Sequence, residues 1–207
     1  MPAACQQESH SRRVAPWWPS SVLLALPGVR PTLSTTTAGN HAGLPKAHLG
    51  ARRGEVLALR WSDLKDGRFE ITRSLTQTAG TVSFKTTKSG EPRRVSLPPG
   101  PEFSAKLDAH RKRQDQYRQR YGADYRTDLD LIFANQDGTP LKPDSISASV
   151  SLLCRRLGLP KGASLHTLRH THASHLLADG VDLATVSERL GHSSVRVTAE
   201  IYSHAIR

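Results

Sequence analysis

From Asp144 onward, polar helix caps and glycine stops divide the chain so regularly that few architectures remain open to it. Asp144 or Ser145 can cap a helix carrying Ile146, Val150 and Leu153 that ends near Gly158. Ser164 can cap a second that runs to about Asp179 with Gly180 as its stop, and Asp182 opens a third ended by Gly191. Ser193 or Ser194 then caps a last helix with Val195, Thr198 and Tyr202. The reasons are local: a Ser or Asp oxygen accepts from the free N–H groups of a first turn, and glycine takes the left-handed conformation that closes a last one.

Upstream the period changes. Phe69 and Ile71 alternate with Glu70 and Thr72, Val82 and Phe84 do the same, and Val95 and Leu97 repeat it after Ser89-Gly90, which predicts a small antiparallel meander. Glu55-Val-Leu-Ala-Leu-Arg-Trp61 suits a short amphipathic helix. Residues 101 to 121 hold Phe103, Leu107 and Tyr117 among runs such as His110-Arg-Lys-Arg113, which predicts an exposed basic helix with a solvated face. Leu131-Ile-Phe133 reads as a short strand or a buried extended segment before an Asp137-Gly138 turn. The expected fold is α+β: a mainly helical domain over 49–207 with a small antiparallel sheet. Residues 1–48 carry Pro, Ser, Thr and Gly with no sustained period and read as irregular.

Charge narrows the partner. Twenty-nine Lys and Arg against 18 Asp and Glu give a formal net charge of +11 over 207 residues, which favours a polyanion. The apolar run Val22-Leu-Leu-Ala-Leu26 stops at Pro27, far short of the roughly 18 residues that span a bilayer. Ser11-Arg-Arg13 ahead of it resembles an export signal only faintly, since Pro16 and Pro19 interrupt the approach. The two cysteines, Cys5 and Cys154, support neither a disulfide framework nor a cysteine metal site, which fits a reducing cytoplasm. Cys154 beside Leu152 and Leu153 reads as a small core residue.

Four separated pieces suit a basic chain that handles a phosphodiester: Gly50-Ala-Arg-Arg-Gly-Glu55, Lys88, His166-Thr-Leu-Arg169, and Gly191-His192 followed ten residues later by Tyr202. His166 and Arg169, three apart, project from one helix face. Each piece alone has a plain alternative. Arg52 or Arg53 could be surface charge, and His166 a partly buried, satisfied histidine. His166, His170, His172 and His175 could share a metal through i, i+4 spacing, but no carboxylate or cysteine completes a recognisable ligand set. Leu183 to Gly191 followed by a capped helix also resembles a helix-turn-helix, the competing reading as a noncatalytic DNA binder, which leaves Arg52, Lys88, His166 and Arg169 without work.

In this order, over about Leu49 to His204, the pieces resemble the tyrosine recombinase (phage integrase) family, whose pattern also covers Leu59-Arg-Trp-Ser-Asp63 and His170-Thr-His-Ala-Ser174. The resemblance implies site-specific cleavage and rejoining of double-stranded DNA through a 3′-phosphotyrosyl intermediate, with no cofactor and no metal, and self-association on DNA as a tetrameric synapse. It implies Tyr202 as nucleophile, Arg52 and Arg169 on the phosphate oxygens, and Lys88 as general acid near a hairpin tip. His166 would accept or relay the tyrosine proton and His192 would hydrogen-bond the phosphate.

Lys85 is the second choice for the acid. Lys88 is preferred because the family's lysine sits five or six residues before an arginine, as Lys88 does before Arg93 and Arg94. Glu55 reads as a carboxylate that orients an arginine or caps backbone groups. The roles are physically coherent. A tyrosine hydroxyl titrates near about 10 and needs the phosphate charge offset before it attacks, and guanidinium forks suit that task better than lysine does. Relatives carry an apolar helical segment and a DNA-clamping domain ahead of the first arginine. The irregular 1–48 therefore predicts a catalytic domain that lacks the clamp and recombines poorly.

Overall fold

The computed structural model describes residues 49–88, 90–98 and 100–202. The irregular stretch expected over 1–48, and the family pattern beyond Tyr202 as far as His204, lie outside the described residues.

The domain opens with a short helix, α1 (Arg53–Leu57), and a 3-10 turn at Trp61–Asp63. Five strands follow: β1 (Leu64–Lys65), β2 (Arg68–Ile71), β3 (Arg73–Thr78), β4 (Thr81–Thr86) and β5 (Arg93–Ser96). Then come α2 (Pro101–Tyr121), α3 (Pro143–Arg156), α4 (Leu165–Ala178), α5 (Leu183–Leu190) and α6 (Val195–Tyr202). The α+β expectation holds, as do the boundaries of α4 and α5 and the start of α6 just after Ser194. Ser164 Oγ accepts from Thr167 N and Asp182 from Thr185 N, while Gly191 ends α5 at φ +68°.

Three expectations are corrected. The strands do not form one meander. β2 pairs antiparallel with β1 on one side and with β5 on the other, Phe69 opposite Val95, whereas β3 and β4 form a separate two-stranded ribbon. Residue 72 breaks the run because Phe69, Ile71 and Leu75 each face packed interior, and the chain must turn out of the first sheet for Leu75 to reach the helical half. The first helix is shorter than Glu55–Trp61 suggested: it ends at Leu57, and Trp61 N donates to Asp130 O instead. Helix α3 starts earlier, with Lys142 at the cap position and Pro143 in the first turn, where a missing N–H costs nothing.

Helix α2 is only partly the solvated rod expected. Gln114 is buried, accepting from Trp61 Nε1 at 2.7 Å and donating to Leu131 O at 2.8 Å. His110 contacts Ile132 O at 2.7 Å and lies against Trp61 and Phe133. A polar seam, satisfied by Trp61 and the 131–133 segment, thus replaces part of the apolar stripe. Of the two readings of 131–133, the buried segment is the one found: Leu131 and Ile132 are buried, and Leu131 bridges to Arg60.

Two clusters meet at α1. Val56 and Leu59 pack with Phe69, Ile71, Val95, Phe103 and Ile132 on the sheet side. Leu57 and Ala58 pack with Leu75, Ile146, Val150, Cys154 and Leu168 on the helical side, Cys154 being the core residue expected. A third cluster, Ala173, Val186, Leu190 and Tyr202, joins α4, α5 and α6. Helix α1 is held from both sides, so its first turn is a fixed platform. Among the described residues no helix is long and apolar enough to cross a membrane.

Candidate active site

A cavity of about 910 Å³ opens where the first turn of α1, the β3–β4 ribbon, α4 and the α5–α6 corner meet. Arg52, Lys88, His166, Arg169, His192 and Tyr202 all line it, together with Arg53 and His170. Among the described residues, none that lines it is acidic. Lys88 stands exposed in the turn after β4, whereas Lys85 lies within β4 and is not among the lining residues.

The first arginine is fixed by the turn that carries it. Arg52 sits in extended conformation just before α1, and its backbone N donates to Glu55 Oε2 at 2.7 Å. Its Nη1 donates to Glu55 Oε1 at 3.0 Å and its Nη2 to Gly191 O at 2.8 Å, across 139 residues of sequence. A guanidinium has five N–H donors, so these bonds orient Arg52 without exhausting it. Gly54 lets α1 approach β3: a Cβ there would lie 2.4 Å from both Leu75 O and Ser74 Oγ. Arg53 lies at the wall of the same cavity, its Nη1 donating to Ser147 Oγ at 2.6 Å and Pro143 O at 3.2 Å, and so ties α1 to α3.

Arg169, only 5 % exposed, projects from α4 toward the same corner. Its Nη1 donates to Gly50 O at 2.7 Å and its Nη2 to Leu190 O at 2.8 Å. Burial, reinforced by the nearby Arg52 charge and opposed by Glu55, brings its pKa down to about 10, so it stays cationic at neutral pH. Glu55 is itself buried. Burial works to raise its carboxyl, but hydrogen bonds and charge from Arg93 and Arg52 outweigh it and hold the group below the ordinary carboxylate range. The carboxylate thus does what the sequence suggested, orienting an arginine.

The histidines differ in setting. His192 Nδ1 is 2.7 Å from the hydroxyl of buried Thr198, and burial with the Arg169 and Arg52 charges lowers its pKa to about 4. It is therefore neutral at pH 7. His166 is exposed rather than partly buried, with Nε2 2.8 Å from Nε2 of His170. The His170 ring lies 5.4 Å from that of Tyr202, between His166 and the tyrosine. Burial, then His166 and Arg169, lowers His170. This contact is a hydrogen bond between rings, and among the described residues no three His, Cys, Asp or Glu side chains gather to hold a metal.

Tyr202, in the last turn of α6, has its ring buried and its hydroxyl without a hydrogen-bond partner among the described residues. Burial raises its pKa, with Arg169 pulling the other way. An unsatisfied hydroxyl at a cavity wall is costly unless something enters to meet it. The α6 side chains Val197, Ile201 and Tyr202 line this cavity, so the second helix of the pair contributes to the same site as Arg52 and Arg169.

Arg93 and His170 also belong to this corner, although the sequence pattern does not mark either as a site residue. Arg93 entered only as a spacing marker for Lys88, yet it is 8 % exposed and pairs with Glu55. His170 fits a metal reading by its i, i+4 spacing, but its position directly after Arg169, one turn from His166, is the signal that puts it beside the site.

Comparison with known proteins fits this geometry. The model of the phage integrase family matches residues 47–207. A "Tyrosine recombinase XerC-like" protein of Caldanaerobacter subterraneus subsp. tengcongensis is 31% identical over 169 residues, covering 76% of this chain and 43% of its own length. The ICEBs1 integrase of Bacillus subtilis is 33% identical over 158 residues, covering 75% and 42%. The chain thus spans less than half the length of these relatives. In fold it is similar to the Tn1549 transposon integrase solved in complex with transposon right end DNA, at TM-score 0.63 and 20% identity, over 75% of this chain and 51% of that one.

Proposed function

Because the chain belongs to the phage integrase family, whose model covers residues 47–207, we propose that 49–207 is the catalytic unit of a site-specific recombinase that cuts and rejoins double-stranded DNA through a 3′-phosphotyrosyl intermediate. The observation that carries this reading is the meeting of six side chains from five chain segments around one cavity, with the Tyr202 hydroxyl unpartnered among the described residues.

The residues divide the work by their chemistry. Arg52 and Arg169, held by carbonyls behind them, direct their remaining N–H donors at the nonbridging oxygens of a phosphate. Such prepositioned donors contribute roughly 3 kcal/mol each when they tighten on the transition state. His192 is neutral, so with Nδ1 accepting from the Thr198 hydroxyl its Nε2–H is left to donate to the same phosphate. Tyr202 Oη attacks phosphorus, and His166 accepts or relays its proton, with His170 standing between the two. The Oη–P bond forms as the bond to the 5′-oxygen breaks, and Lys88 protonates that oxygen as it leaves.

One phosphoester replaces another, so no nucleotide is consumed, and a returning 5′-hydroxyl reverses each step. Each chain offers one such tyrosine. Exchange of two duplexes requires four strand breaks, and the protein therefore works as an assembly of several copies on DNA.

The test uses a pool of nicked duplexes of randomised sequence, in which cleavage next to the nick lets the short strand diffuse away and traps the covalent product. A denaturing gel should show a DNA-shifted protein band for the native chain and none for Tyr202→Phe. Equal duplex affinity of the two proteins with no covalent band in either would leave only a binder.

A further inference from the structure

Helix α5 ends in three successive carbonyls, each taken by a different arginine: Arg93 Nε donates to Arg189 O at 3.1 Å, Arg169 Nη2 to Leu190 O at 2.8 Å, and Arg52 Nη2 to Gly191 O at 2.8 Å. The last carbonyls of a helix lack intrahelical partners and sit at the negative end of its dipole, so cations are favoured there. Two of the three arginines face the cavity. Arg93 does not line it. It reaches the corner from β5 and lies behind the other two, with Nη1 and Nη2 3.2 and 2.5 Å from the Glu55 oxygens. Glu55 in turn holds both the backbone and the guanidinium of Arg52. Gly191 is closed against the same group: a Cβ there would lie 2.7 Å from Arg93 Nη1.

Arg93 therefore touches both halves of the site at once. Through Glu55 it sets Arg52, and through Arg189 O and Gly191 it sets the corner from which His192 and α6, with Tyr202, depart. Resting on the recombinase reading above, we propose that Arg93 is a positioning residue for strand cleavage, holding the phosphate-binding arginine and the tyrosine-bearing segment in one register without itself meeting the phosphate.

Two forces act in its absence. Glu55 keeps a buried charge with only Arg52 to balance it, which draws that guanidinium away from the phosphate, and the Gly191 corner loses a wall. Displacements of this size cost rate steeply, since misplacement by about 1 Å is worth up to about a hundredfold.

The experiment compares the native chain, Arg93→Met, Arg93→Lys and the double variant Arg93→Met with Glu55→Gln. Each is checked for a cooperative thermal melt and assayed for covalent adduct with the nicked randomised pool and for binding of an unnicked 40-base-pair duplex of mixed sequence. Arg93→Met should form adduct at least about tenfold more slowly, with duplex affinity within about twofold, because the loss is in alignment and not in charge facing DNA. The double variant should recover part of that rate, since removing the buried carboxylate frees Arg52. A merely structural arginine would give no such recovery. If Arg93→Met melts below the assay temperature, Arg93→Lys keeps the charge without the fork and should show the same rate loss in milder form.

Adduct formation within twofold of native by a folded Arg93→Met or Arg93→Lys overturns the assignment, as does a double variant slower than the single one. No adduct from the native chain itself would instead remove the recombinase reading on which the proposal stands, and the proposal with it.

Discussion

Replacing Arg169 by lysine keeps the charge and removes the fork, and the structure gives both consequences a size. Arg169 spans two carbonyls, Gly50 O and Leu190 O, which belong to the chain just ahead of α1 and to the end of α5. One ammonium at the end of a flexible stem meets one of them well. The other stays buried without a partner, at a cost of about 1–3 kcal/mol. For a domain of this length each kcal/mol lowers Tm by about 2–4 °C, so Arg169→Lys should melt lower by about 2–12 °C.

The rate should fall further than stability does. The two backbone anchors leave Arg169 preoriented toward the cavity, and loss of one aligned transition-state donor costs about a hundred- to a thousandfold. The assay pairs a thermal melt with single-turnover adduct formation on the nicked pool at a temperature where both proteins are fully folded. A variant with unchanged Tm and a rate within about threefold of native would refute the argument, because it would mean that neither the bridge between Gly50 and Leu190 nor the fork geometry matters.

Tyr202→Phe should abolish the adduct and yet melt no lower than the native protein, because the deleted hydroxyl is buried and makes no hydrogen bond to any described residue; a lower Tm would show a partner outside them. Gly54→Ala should destabilise by about 1–3 kcal/mol, since the new methyl meets Leu75 O and Ser74 Oγ and must push α1 off β3, and a melt unchanged from native would contradict that contact. The His192 pKa of about 4 lies below the unfolded value of about 6.5, so the unfolded chain binds the extra proton between those values. Its contribution to stability is complete above about pH 6.5 and is lost as pH falls toward 4. His192→Gln should therefore flatten the fall in Tm between pH 7 and 5, and an equally steep fall in the variant would assign the effect to other groups.

What the chain determined locally was legible in advance. Ser164, Asp182, Gly180 and Gly191 set the ends of α4 and α5 through contacts between residues three or four apart, and such contacts form wherever the segment is placed. The ordered pieces around Arg52, Lys88, His166, Arg169, His192 and Tyr202 were visible as residue types at given spacings, although nothing in the spacing told how they would meet.

The seam of α2 was hidden because Gln114 and His110 read as solvated residues until Trp61 and the 131–133 segment supply their partners. The β3–β4 ribbon looked like part of one meander because alternation reports which side chains face inward and not which strand lies alongside. Arg93 was one basic residue among twenty-nine. Its place at the corner, like the anchoring of Arg52 on Gly191 and of Arg169 on Gly50, depends on hydrogen bonds across 96, 139 and 119 residues. A donor finds its carbonyl at such separations only after the helices and strands have packed. The elements were thus written in short-range chemistry, and the site was made by the tertiary structure that gathered three guanidiniums onto the end of one helix.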